Sequence, residues 1–191
     1  MIIVTGGAGF IGSNFILKFL ESSNENLLNL DNLSYAANLS NLKTINTDPR
    51  YSFTKINIQN QSEVEAIVKE VKPRAILNFA AESHVDRSIE GPESFINTNI
   101  LGTYSLLEAA LNYWNDLDES GKKIFRFFHI STDEVFGSLD INDKKSTEES
   151  SYKPNSPYSA SKAASDHLVR AWHHTFKLPT LVSNCTNNYG P

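Results

Sequence analysis

Apolar and polar positions follow two different periods along this chain. Continuous apolar runs occupy residues 1–5, 26–31, 51–58, 74–80, 124–131 and 179–185, each the length of a buried strand. Between several of them the spacing becomes helical. In residues 10–22 (FIGSNFILKFLES), Phe10, Ile11, Phe15, Ile16 and Phe19 gather near one face. In residues 61–72, Val64, Ile67, Val68 and Val71 repeat at i, i+3, i+4 and i+7, and Pro73 closes the helix. Longer helical patterns cover residues 94–114 and 158–177. This alternation predicts an α/β fold: a doubly wound parallel sheet with helices on both faces, joined by right-handed crossovers. Residues 137–157 (GSLDINDKKSTEESSYKPNSP) are polar with two prolines and read as a surface excursion near the site.

Composition narrows the reading. The chain has 191 residues, 40% of them apolar, enough for one α/β domain with a sizeable core. No stretch approaches the ~20 apolar residues of a membrane span. The apolar start lacks a basic leader and meets glycines at once, so it reads as a buried strand and not a signal sequence. Lys and Arg total 17 against 22 Asp and Glu, a net charge of −5, which makes no electrostatic case for nucleic acid. The single cysteine, Cys185, excludes an internal disulfide and fits a reducing cytoplasm.

The glycines carry the first chemical signal. MIIVTGGAGFIG contains Gly6, Gly7, Gly9 and Gly12, readable as G-x-G-x-x-G from Gly7 or G-x-x-G-x-x-G from Gly6. An apolar strand precedes the cluster and an amphipathic helix starts inside it. A second strand then ends in Asp31, 19 residues after Gly12. That context is the dinucleotide fingerprint of a Rossmann-like domain. The glycines let the backbone turn and approach a pyrophosphate on the positive end of the helix. Asp31 is placed to accept from the adenosine ribose hydroxyls; its charge and the absence of arginine in NLSYAAN favour NAD over NADP.

The second signal lies downstream. Tyr158 and Lys162 form Y-x-x-x-K at the start of a helix, with both side chains on one face. A phenol has a reference pKa of ~10, and a nearby ammonium stabilises the phenolate, moving it toward a useful base. Ser131-Thr132-Asp133-Glu134 follows the β-rich run IFRFFHI, at the strand edge where parallel sheets bind ligands. Two adjacent carboxylates there suit acid/base work. Of the five histidines only His173 and His174 are close in sequence, and neighbours on a helix point apart, so no metal site is expected.

TGGAGFIG, YSASK and their separation resemble the extended short-chain dehydrogenase/reductase superfamily. AAESHVDRSI (80–89), NTNILGTYSLLEAA (97–110), HISTDEVFG (129–137), PYSASKAASDHLVRAW (157–172) and NCTNNYGP (184–191) narrow the resemblance to the dTDP-glucose 4,6-dehydratase family, across nearly the whole chain. That resemblance implies NAD as a cofactor that is reduced and restored within each turnover. Tyr158 would remove the sugar O4 proton as the C4 hydride leaves, with Lys162 and Thr132 assisting. Glu134 would take the C5 proton and Asp133 protonate the departing C6 hydroxyl, giving a 4-keto-6-deoxy sugar. Catalytic residues are thus Thr132, Asp133, Glu134, Tyr158 and Lys162.

Cofactor contacts implied in the same way are Gly6, Gly9, Phe10, Ile11, Gly12, Asp31, Asn32, Leu33, Ser34, Asn57, Ile58, Phe79, Ala80, Ala81, Ser83, Thr98 and Asn188, together with Tyr158 and Lys162. Ser83, Thr132 and Asn187 would touch the nucleotide sugar. His84 reads as an ordering residue. Asn57 and Asn78 depart from the family pattern, which has aspartate and histidine there. NNYGP is a mid-protein motif in this family, so the chain is expected to be an amino-terminal NAD-binding domain (1–191) lacking most of the substrate-binding domain, with little or no turnover by itself. A homodimer through helices 94–114 and 158–177 is expected by the same resemblance. The alternatives are another nucleotide-sugar 4,6-dehydratase, a 4-epimerase, or an inactive NAD-binding fragment.

Overall fold

A computed structural model describes residues 1–190; Pro191, the last residue of NNYGP, lies outside the described residues. Six parallel strands form one sheet: β1 (Ile2–Thr5), β2 (Leu27–Asp31), β3 (Tyr51–Lys55), β4 (Ala75–Asn78), β5 (Arg126–Thr132) and β6 (Thr180–Cys185). Their spatial order is β3-β2-β1-β4-β5-β6. The chain runs outward one way from β1 to β3 and the other way from β4 to β6. The crevice where the order reverses lies at the carboxyl ends of β1 and β4.

The helices are α1 (Phe10–Ser22), α2 (Gln61–Val71), α3 (Val85–Glu90), α4 (Glu93–Phe95), α5 (Thr103–Asn115), α6 (Glu119–Ile124) and α7 (Pro157–Phe176). On one sheet face Ile3, Leu30 and Ile76 pack with Val64 and Val68 of α2, Leu106 and Ala110 of α5 and Val169 of α7. On the other, Ile2, Val4, Leu27 and Leu77 meet Ile16 and Leu20 of α1. Both faces are therefore layered as the alternation predicts. The β6 edge leaves Leu181 and Val182 exposed, at 52% and 39%.

Two local signals account for the best-defined ends. Ser156 caps α7 by accepting from the Ser159 amide, Ser159 answers with its hydroxyl, and Pro157 opens the first turn. α2 ends at Lys72 in the left-handed region, and the following Pro73 prevents continuation. The expected helix at 94–114 differs in kind. Between α4 and α5, residues Ile96–Gly102 form a π-helix. The wider turn rotates Asn99 inward, where Oδ1 accepts from the Glu82 amide at 2.8 Å and Nδ2 donates to the Glu82 carbonyl at 2.9 Å and to Ser161 Oγ at 2.8 Å. These three bonds compensate a register that apolar spacing alone reads as ordinary α-helix.

Candidate functional site

A cavity of 340 Å³ opens at the carboxyl ends of β1, β2, β4 and β5. Its floor is the loop between β1 and α1. Gly6 sits at φ +69°, and a Cβ there would lie 2.6 Å from the Ala80 backbone. At Gly12 a Cβ would run into the Gly6 carbonyl oxygen. Both positions therefore require glycine, one for conformation and one for close packing. No side chain caps α1 at Gly9, so the amides of its first turn face the cavity with the positive end of the helix dipole. This is an anion-binding cradle of the right size and sign for a pyrophosphate.

Asp31 closes the adjoining wall. Its Oδ2 accepts from the Ala8 amide at 2.9 Å and its Oδ1 from the Leu33 amide at 2.8 Å. The carboxylate thus ties the glycine loop to the turn after β2, and its remaining lone pairs stay available to hydroxyls in the cavity. Leu33 adopts φ +57° in that turn.

The structure brings most of the sequence-predicted cofactor residues to this one cavity. Gly6, Gly9, Phe10, Ile11, Gly12, Asp31, Asn32, Ser34, Ile58, Phe79, Ala80, Ala81, Ser83, Thr98, Tyr158 and Lys162 line it. Eight further residues complete the wall: Leu30, Ala36, Ala37, Ile56, Glu82, His84, Ile130 and Ser131. Glu82 and His84 sit in the loop after β4, which Asn99 pins at Glu82; Leu30, Ile56 and Ile130 are apolar positions with no chemical signal in the sequence, while Ser131 falls in the segment already marked at the strand edge. Leu33, Asn57 and Asn188 are not on the wall, and Asn57 is exposed with its side chain accepting from the Gln59 amide at 3.0 Å. Asn187 and Asn188 are exposed on the segment after β6, away from the cavity lining.

β5 brings further polar side chains to the end of the sheet next to this cavity. It ends at Thr132 and passes directly into a 3₁₀ turn, Asp133–Phe136. Thr132 Oγ1 accepts from the Glu134 amide at 3.2 Å and donates to Asp133 Oδ1 at 3.4 Å. Burial, and then the neighbouring Asp133, raise the Glu134 carboxyl from its ordinary value. Across from it α7 presents Tyr158 and Lys162, 8% and 3% exposed.

Tyr158 differs from the expectation that Lys162 eases it toward ionisation. Burial pushes its hydroxyl up to about 12, with the Glu134, Asp133 and Asp166 carboxylates adding to the effect and a hydrogen bond with Thr132 opposing it. Lys162 instead donates to the Ile130 carbonyl at 2.7 Å, and burial brings its ammonium down to about 8. The phenol is therefore protonated near neutral pH. Among the described residues no group of three or more His, Cys, Asp or Glu side chains is arranged to hold a metal, and no helix is long and apolar enough to cross a membrane.

A parallel sheet reversing at β1, a glycine cradle under a bare helix terminus, and a Tyr–Lys pair on the adjoining wall define a Rossmann-like, dinucleotide-binding fold. The chain belongs to the GDP-mannose 4,6 dehydratase family, whose model matches residues 3–191. It is 53% identical over 189 residues to the dTDP-glucose 4,6-dehydratase of Haemophilus influenzae, covering 99% of this chain and 56% of that protein. With the Xanthomonas campestris dTDP-glucose 4,6-dehydratase the identity is 55%, covering 99% and 53%. The chain thus spans about half the length of these curated relatives. Among solved structures, the Streptomyces venezuelae dTDP-glucose 4,6-dehydratase with NAD bound superposes with a TM-score of 0.90 at 42% identity, covering 100% of this chain and 56% of that one. A Thermus thermophilus UDP-glucose 4-epimerase complexed with NAD gives 0.81 at 28%, covering 96% and 54%.

Proposed function

We propose that this chain carries the NAD-binding and catalytic residues of a dTDP-glucose 4,6-dehydratase. The observation that supports it is one of placement. The glycine cradle, Asp31, Tyr158 and Lys162 share one cavity, and Thr132, Asp133 and Glu134 stand at the end of the strand that forms its wall. NAD held by the glycine cradle and Asp31 would supply reversible hydride transfer. The chain's own residues handle the protons. Tyr158 takes the O4 proton, helped by the Thr132 hydroxyl; Glu134 takes the C5 proton; Asp133 gives a proton to the leaving C6 hydroxyl. The raised Glu134 suits the second step, because a 4-ketone makes the C5 hydrogen acidic enough for a carboxylate to remove.

A 4-epimerase is the competing reading, since epimerases share the fold. It needs no acid/base pair for C5 and C6, so the paired carboxylates at the end of β5 favour the dehydratase. The assay is formation of a 4-keto-6-deoxy product from dTDP-glucose by the protein as expressed from its gene. Tyr158→Phe stops the reaction before C4 oxidation, whereas Glu134→Gln allows a 4-keto-glucose nucleotide to accumulate without water loss. Both variants stalled at one step, or 4-epimer as the sole product, refutes the assignment.

The same reading includes a homodimer through residues 94–114 and 158–177 and a cytoplasmic setting. Ile96, Leu101, Tyr104 and Phe176 are exposed on those helices at 49%, 49%, 38% and 45%. Trp172 bridges two of them, edge-on to Tyr104 and to Phe176 with centroids 5.9 and 5.5 Å away. An aromatic, aliphatic surface of this kind suits a helix-to-helix contact between copies.

A further inference from the structure

Behind the Tyr158–Lys162 face of α7 lies a buried polar cluster that the proton transfers above leave unused. Its centre is Asp166, one helical turn beyond Lys162 and 4% exposed. Oδ2 accepts from Ser131 Oγ at 2.7 Å and from the Tyr152 hydroxyl at 2.9 Å. Oδ1 is fully buried and makes no hydrogen bond; the nearest cationic candidate is His129 Nε2 at 3.4 Å. A carboxylate oxygen buried without a partner is costly unless positive charge stands nearby.

His129 does not supply that charge. A chain of donors fixes its state. The Ala80 amide donates to Thr5 Oγ1 at 3.3 Å, Thr5 donates to Asn78 Oδ1 at 2.6 Å, and Asn78 Nδ2 donates to His129 Nδ1 at 3.2 Å. Nδ1 is therefore the acceptor, and the ring proton lies on Nε2, facing Ser165 Oγ at 3.2 Å and Asp166. Burial, and then the Lys162 ammonium 3.4 Å from Nε2, bring the imidazole down to about 4, so it is neutral near pH 7. The other titratable group acting on Lys162 is the Cys185 thiol on β6, and Tyr158 lies one turn earlier on α7. Lys162 is thus the one cation within this cluster.

We propose that Asp166 is a positioning residue of the site: its carboxylate is the counter-charge that keeps the buried Lys162 ammonium protonated, and it ties α7 through Ser131 to β5, which leads into Asp133 and Glu134, and through Tyr152 to the segment before α7. The proposal deepens the dehydratase reading, which it rests on and in which Lys162 assists Tyr158. Its test is independent of turnover. Asn78, where the family pattern has histidine, gains a role here, since its amide selects the His129 tautomer.

The experiment follows the ¹³Cε resonance of Lys162 through a pH titration, assigned by its disappearance in Lys162→Met. In the unmodified chain the midpoint is expected near the value of about 8 set by burial. Asp166→Asn keeps the shape and an acceptor oxygen but removes the charge, and the midpoint falls by about one pH unit or more, a tenfold change in the proton equilibrium. A midpoint unchanged in a folded Asp166→Asn protein overturns the proposal, whatever the enzyme's activity. If that variant does not fold, the ¹³Cγ resonance of Asp166 in the unmodified chain decides. Ionisation persisting down to about pH 4, the ordinary aspartate value, supports the counter-charge; protonation already complete near neutrality overturns it.

Discussion

Asp31→Asn removes one charge and one acceptor at the point where the glycine loop and the turn after β2 meet. The carboxylate is 7% exposed and accepts two backbone amides, at 2.9 and 2.8 Å. Hydrogen bonds to a charged group contribute about 1.5–3 kcal/mol each. Asparagine keeps one oxygen, so one bond survives at roughly half its strength, and the other is replaced by an N–H facing an N–H. The sum is a loss of roughly 2–4 kcal/mol. For a chain of this size each kcal/mol moves the melting temperature by about 2–4 °C, so Tm falls by about 5–15 °C. Losing the Ala8 tie loosens the glycine loop that forms the cradle, so NADH affinity is expected to fall at least about tenfold, a 1.4 kcal/mol effect. Removing the anion also narrows the preference for NADH over NADPH. Thermal unfolding by circular dichroism, paired with fluorescence titration of both cofactors, reads all three quantities. A Tm within about 1 °C of the parent, with unchanged discrimination between the cofactors, would show that Asp31 is neither a loop tie nor a ribose ligand.

Gly6→Ala combines a left-handed residue with a Cβ 2.6 Å from the Ala80 backbone; it is expected to abolish NADH binding in the same titration and to lower Tm, and near-parental binding would contradict the cradle geometry. His129 is neutral in the fold and titrates at about 4 against 6.5 when free, so the unfolded chain binds the extra proton between those values; stability present above pH ~6.5 is lost as pH falls toward ~4. Urea unfolding at intervals of pH should show that slope, and His129→Gln should flatten it. Leu101→Glu or Tyr104→Glu places a charge on the exposed apolar helices and is expected to convert a dimer to a monomer in light scattering at micromolar concentration; a parent that is already monomeric refutes the interface.

The β1–glycine–α1–Asp31 unit was legible because its evidence is local: apolar run, turn glycines, helix period and terminal acid follow one another within 31 residues of sequence. The same holds for α2, whose stop is written in Lys72 and Pro73, and for the Tyr158–Lys162 face of α7, which helical spacing alone aligns. Other features were settled by contacts that sequence order conceals. The π-helix at Ile96–Gly102 exists because Asn99 finds Glu82 and Ser161, the latter 62 positions away. Asn78 meets His129 across 51 positions, and Ser131 meets Asp166 across 35. In the linear chain Asp166 is one more polar residue on a helix. Helical spacing sets it one turn from Lys162, but only the packing of α7 on β5 and β6 buries the two together and lowers the dielectric around them. Composition and period specify which elements form, because those depend on each residue's nearest neighbours. Protonation state and reactivity depend on burial and on charges brought from distant strands, so they are decided when the sheet closes.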